Sequence, residues 1–176
     1  MGRAVLHSPR TAVEVFKLLP EGVYCQVINN VIYVSPPRTF LHQQTVMEIA
    51  FQIRAFVYKK SLGECVGSPV DTFLDKNNAF QPDIIFLSKK NLSLVKNDGK
   101  IHGAPDIIIE VLLKKDENHD KIRKRKVYES CGVLEYFIVD PQTKAVTNCY
   151  LKNKKFTEEK FNSKIVSKLL KKTFYF

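Results

Sequence analysis

The sequence predicts an α/β fold, a mixed β-sheet flanked by helices, and three observations carry that expectation. Val46, Ile49, Ala50, Ile53, Phe56 and Val57 recur at helical spacing between His42 and Tyr58, so a long helix carries an apolar stripe that must pack on a sheet. The run from Ile107 to Leu112 is apolar at odd and even positions alike, apart from Glu110, as in a central strand covered on both faces. The order of segments (helix, hairpin, long helix, several strands, helix, strand) has a mixed sheet flanked by helices, an α/β or α+β sandwich, as its natural outcome.

Taken in order, Ser8-Pro9 opens a short helix through about Leu19, since proline suits a first turn, and Pro20-Glu21-Gly22 ends it. Residues 23–28 and 31–35 are β-branched and aromatic runs joined by Asn29-Asn30, a hairpin signal, and Pro36-Pro37 stops the second. The long helix follows, with Gly63 read as a neighbour of its C-cap. Strands are expected at 64–67, 70–74, 83–88 and 106–112, a helix from Asp120 to Cys131 closed by Gly132, and strands at 134–139 and 145–151 around the Asp140-Pro141 turn. Residues 157–176 fit helix and strand equally and are left open. With no repeat and no linker composition, the 176 residues are expected to form one domain.

Composition narrows the function classes. With 44% hydrophobic and 26% charged residues the chain is of globular type. No apolar run approaches the ~20 residues of a membrane span, and no secretory pattern opens the chain, so a cytoplasmic protein is expected. Cys25, Cys65, Cys131 and Cys149 are scattered, as are the histidines, which argues for free, mostly buried thiols and against a zinc site. The net charge of +10 is concentrated: residues 114–126 hold seven Lys/Arg against three acids, and residues 152–172 hold eight Lys against two Glu. Such density favours a polyanion through Coulomb attraction and counterion release, although a solvated lysine-rich surface has the same composition.

Two acids stand where burial is costly. Asp83 begins the apolar strand Ile84-Ile85-Phe86, and Glu110 interrupts the doubly covered strand. A carboxylate there must be paired, protonated or metal-bound. On the helix from Asp120, a turn of ~100° per residue groups Asp120, Lys124, Val127, Tyr128 and Cys131 in one stripe, so Lys124 is the cation aimed at the sheet. A structural ion pair and a hydrolytic centre both follow from a lysine near two carboxylates. In a nuclease, two carboxylates and a carbonyl suit a hard cation, and the amine orients water or neutralises developing charge. Of the two Pro-Asp pairs, Asp106 lies about 13 Å from Glu110 along the strand at ~3.3 Å per residue, too far to share an ion. Asp83, from a separate strand, is the preferred ligand.

These residues resemble a known family. Gln81-Pro82-Asp83-Ile84-Ile85-Phe86, Gly103-Ala104-Pro105-Asp106 leading to Glu110-Val111-Leu112, then Asp120, Lys124, Tyr128, Gly132-Val133, Glu135-Tyr136 and Val139-Asp140-Pro141 look like the Uma-two family of bacterial endonucleases, in the PD-(D/E)xK superfamily. Ser35-Pro36, followed by His42 at the head of the long helix, fits its N-terminal half. The resemblance implies a restriction-endonuclease-like fold, a divalent metal (Mg²⁺ or Mn²⁺) at Asp83 and Glu110 with the Val111 carbonyl, and a catalytic lysine moved from position 112 to Lys124. It also implies DNA as partner and often a homodimer. Gln26 stands where many relatives carry Glu, and Leu113-Lys114 where they continue Ser-Pro. The expectation is a metal-dependent DNA endonuclease: Asp83 and Glu110 bind the metal, Lys124 assists water, and Lys114, Lys115, Lys121, Arg123 and Arg125 hold the phosphate backbone. Gln26, His42, Asp120 and Tyr128 are auxiliary. The alternative is a nucleic-acid-binding protein that keeps the fold without catalysis.

Overall fold

Helix α1 (Ala12–Lys17) begins where the Thr11 hydroxyl accepts the Glu14 amide, so it is shorter than the segment the sequence suggests. Asn29 and Asn30 both take positive φ, 49° and 61°, and form the tight turn between the antiparallel strands β1 (Cys25–Ile28) and β2 (Val31–Val34). Thr39 caps α2 (Phe40–Lys59) through the His42 amide. This computed structural model describes residues 9–20, 22–113 and 119–176, with residues 119–121 described in backbone only.

Gly63 has a different role from the one expected. Lys60 caps α2, while Gly63 opens β3 (Gly63–Gly67) at φ 154°, where an added Cβ would lie 2.0 Å from the Leu87 carbonyl oxygen. Close backbone approach, rather than helix termination, requires glycine there.

The remaining strands are β4 (Thr72–Asp75), β5 (Asn78–Phe80), β6 (Ile84–Ser88), β7 (Ile101–His102), β8 (Ile107–Val111), β9 (Glu135–Val139), β10 (Ala145–Lys152), β11 (Lys155–Asn162), β12 (Lys164–Ser167) and β13 (Lys172–Tyr175). Helix α3 (His119–Cys131) crosses from β8 to β9, the one parallel pair in a six-stranded sheet ordered β11-β10-β9-β8-β6-β3. A smaller sheet runs β2-β1-β5-β4-β7, and β12 pairs with β13. The mixed sheet flanked by helices is thus the class expected from sequence. The open C-terminal segment is strand. Its turns at Asn153-Lys154, Ser163 and Lys171 use positive φ without glycine, and β11 is exposed along most of its length, so neither turn nor alternation signalled it.

Strand β8 is buried at all five positions. Ile107, Ile109 and Val111 pack with Val46, Ile49 and Ile53 of α2 and with Ile165 and Phe174 of the terminal hairpin. Ile108 faces the other way, against Val127 and Tyr128 of α3 and Phe80 of the smaller sheet. The two-faced pattern read in the sequence therefore has two physical covers, and Glu110 points under α3. All four cysteines are free, three of them buried. Among the described residues no helix is long and apolar enough to cross a membrane.

Candidate active site

The pairing of β6 with β8 fixes the distance between the two acids. Ile84 lies opposite Ile109 in antiparallel register, and one further step sets Asp83 against Glu110. A hydrogen bond closes the corner: the Val111 amide donates to Asp83 Oδ2 at 2.9 Å. Both carboxylates are buried, at 1% and 6% exposure.

Each acid has its own cation. Lys124 Nζ lies 3.1 Å from Glu110 Oε1, and the Tyr128 hydroxyl donates to the same oxygen at 2.8 Å. Val127 and Tyr128 anchor that face of α3 on the sheet, with the Tyr128 ring 4.9 Å from Tyr136 and 5.1 Å from Phe80. On the other side, Arg38 approaches Asp83 Oδ1 at 3.5 Å. His42 Nε2 stands 3.3 Å from Asp83 Oδ2 but out of hydrogen-bond alignment, and among the described residues neither ring nitrogen of this buried histidine has a hydrogen-bond partner.

Electrostatics separate the two acids. Burial works against ionisation of Asp83, yet the His42 ring, the Arg38 charge and the Val111 amide outweigh it and hold its carboxyl below the usual range. Burial pushes Glu110 up; Lys124 opposes that, and the neighbouring charge of Asp83 adds to it. Burial, together with Glu110, raises Tyr128 well above the ordinary phenol, so the hydroxyl keeps its proton and remains a donor.

The other expected residues fall in several places. Gln26 is buried on β1, opposite Tyr33 in register. Arg123 donates to the Tyr33 hydroxyl at 2.6 Å and lies over its ring. Arg125 pairs with Glu158 at 2.9 Å and covers Phe156, joining α3 to β11. Lys114 and Lys115 lie outside the described residues, and the side chains of Asp120 and Lys121 are likewise not described. A cavity of about 620 Å³ opens beside the end of β8, lined by Thr39, Leu41, Leu112, Leu113 and Asp140 to Thr143. Arg38 was not anticipated. The available signal was that it is the lone cation between Lys17 and Arg54, set between a Pro-Pro stop and a helix cap.

The family model described as "Putative restriction endonuclease" (Uma2) matches residues 12–173. The chain belongs to the Uma2 family. The solved structure of a protein described as a putative nuclease belonging to DUF820, from Anabaena variabilis ATCC 29413, superimposes on this Uma2 chain with a TM-score of 0.71 at 20% identity, covering 88% of this chain and 85% of that one. At that identity the match shows a shared fold. Among curated proteins nothing matches. The Uma2 assignment makes this a member of a nuclease family with the α/β class read from the sequence.

Proposed function

We propose that this chain is a single-domain, metal-dependent DNA endonuclease of the PD-(D/E)xK type whose centre is Asp83, Glu110 and Lys124. The observation that carries the reading is the convergence of two buried carboxylates from neighbouring strands with an amine from a third element at 3.1 Å. The donor set suits a hard cation. Among the described residues no group of three or more His, Cys, Asp or Glu converges. Mg²⁺ or Mn²⁺ would therefore rest on two carboxylates, the Val111 carbonyl and water, the sparse protein shell that Mg²⁺ prefers. Val111 directs its N–H at Asp83, and strand geometry turns the carbonyl of the same residue toward the same neighbour. Charge fits as well: Glu110 resists ionisation partly because Asp83 is ionised beside it, and an added cation would relieve both.

Bound there, the ion would supply an acidified water and stabilise charge on the phosphate oxygens. The protein does the rest. Lys124, mostly buried and held by the α3 packing, orients water or neutralises developing charge. Tyr128 restrains Glu110, and Arg38 and His42 keep Asp83 ionised and in place. The basic residues Lys114, Lys115, Lys121 and Arg123 bind backbone phosphate, while Arg125, expected in the same set, is held by Glu158. In the test, plasmid DNA is incubated with the purified chain in Mg²⁺ or Mn²⁺. The wild type cleaves; Asp83→Asn and Glu110→Gln fold but do not cleave. Equal cleavage by both variants would reject the centre.

One observation favours a second reading. Lys124 and Arg38 already pair the two acids, so the site is also a self-sufficient ion network and the chain a binding protein without catalysis. Calorimetry distinguishes the two: salt-sensitive DNA binding with no Mn²⁺ uptake supports the second.

A further inference from the structure

The solvent face of α2 carries an apolar seam that the nuclease centre does not use. Phe40, Met47, Phe51 and Tyr58 are 85%, 68%, 73% and 77% exposed. At ~100° per residue these four fall within about 20° of one line along the helix, opposite the stripe of Ile49, Ile53 and Val57 that packs on the sheet. A helix apolar on both sides implies a second partner for the outer side. Scattered exposed apolar residues are ordinary; four large ones in a single line along a helix of 20 residues are not.

The seam is also a palindrome. Positions 40, 47, 51 and 58 are symmetric about residue 49, so when α2 is laid antiparallel on another α2, Phe40 meets Tyr58 and Met47 meets Phe51, and both contacts recur on the other side of a two-fold axis. Self-complementarity of this kind is what an isologous interface requires. On the flanks the same operation sets Arg54 beside Gln43 and Gln44 beside Ala55 of the other copy, while Glu48, about 80° off the seam, lies at the solvent rim beside its own counterpart. Four large side chains of ~150–250 Å² each, about three-quarters exposed, offer on the order of 600 Å² per protomer, most of the ~800 Å² per partner in a standard interface. A membrane surface is the poorer match, since interfacial helices flank their apolar face with Lys and Arg, and here the flanks carry one acid and one arginine among glutamines and alanines.

We propose that the outer face of α2 is the interface between two copies of this chain, paired antiparallel about a two-fold axis near residue 49. Residues on the seam are exposed in the protomer, so substitutions there spare the fold.

Sedimentation equilibrium of the full chain tests the proposal, with circular dichroism to verify folding. The wild type should sediment as a dimer. Phe51→Lys alone and Met47→Glu alone should each weaken the dimer at least tenfold. The double variant M47E/F51K should recover it, because the antiparallel register sets opposite charges face to face. A wild type that is monomeric at about 0.1 mM, too weak to count as a specific pair, overturns the proposal, and so does a dimer that Phe51→Lys leaves unchanged. Absence of rescue overturns the register. Metal uptake at Asp83 and Glu110 is measured on the same samples, so failure of the interface and failure of the nuclease reading are separate results.

Discussion

The strands β6, β8 and β9 bury two acids at each end, and the two ends treat them differently. At one end Asp106 accepts the Ser88 amide at 2.7 Å and the Asn91 side-chain amide at 2.9 Å, one on each oxygen. Glu135 beside it accepts the Ser167 hydroxyl at 2.6 Å and the Leu169 amide at 2.8 Å, again one on each oxygen. Their protein donors are neutral. At the other end Asp83 and Glu110 face Arg38, His42 and Lys124, so the partners carry or can carry charge. A carboxylate saturated by neutral donors is a structural tie and needs nothing more. Two carboxylates held against side-chain cations in a buried corner keep a strong field, which is the arrangement the proposed metal centre calls for. Buried acidity alone therefore says little about function; the partners decide.

Substitutions at the two ends sharpen this contrast. The largest effect belongs to Asp83→Asn and Glu110→Gln, each expected to lower Mg²⁺-dependent cleavage by about 10³-fold, on the scale of losing a principal electrostatic stabiliser, with little change in urea midpoint. Lys124→Met should follow, with cleavage down about 10²-fold and Mn²⁺ affinity retained, read by calorimetry beside the rate. At the opposite end the order of effects reverses. Asp106→Ala should cost about 2–4 kcal/mol by stranding two partly buried donors, measured by urea unfolding, with Mn²⁺ uptake intact. Tyr128→Phe removes a single hydroxyl from Glu110 and should cost about 1 kcal/mol.

The smallest effect is a pH slope. Burial raises the Glu135 pKa above 4.5, against the Ser167 and Leu169 donors that lower it. The folded protein then holds a proton that the unfolded chain has released, so stability falls as pH rises from about 4.5 through the raised value. Glu135→Gln should flatten that part of the curve of urea midpoint against pH; an unchanged slope would place the titration elsewhere.

The placement of Asp83 beside Glu110 and of Asp106 away from it was legible in the sequence because strand rise alone separates Asp106 from Glu110. Lys124 was legible because helical periodicity aims it at the sheet. The two-sided burial of β8 was legible from its lack of alternation. Other features left no such trace. Arg38 reaches Asp83 from an irregular segment, where no period tells which way a side chain points. Strand β5 has three residues, too few to alternate. The ties of Arg123 to Tyr33 and of Arg125 to Glu158 join elements about 90 and 33 residues apart, whereas the sequence alone assigns both arginines to the phosphate backbone.

The central position of β8 has a consequence for endurance. Its amides lie between β6 and β9 with side chains covered above and below, so their hydrogens exchange with solvent only when the whole sheet opens. Glu110 and the amide that fixes Asp83 belong to that slowest-exchanging strand. Denaturant should accordingly abolish metal uptake at the global transition and not before it, and the geometry of the two acids should outlast any local fraying of the edges.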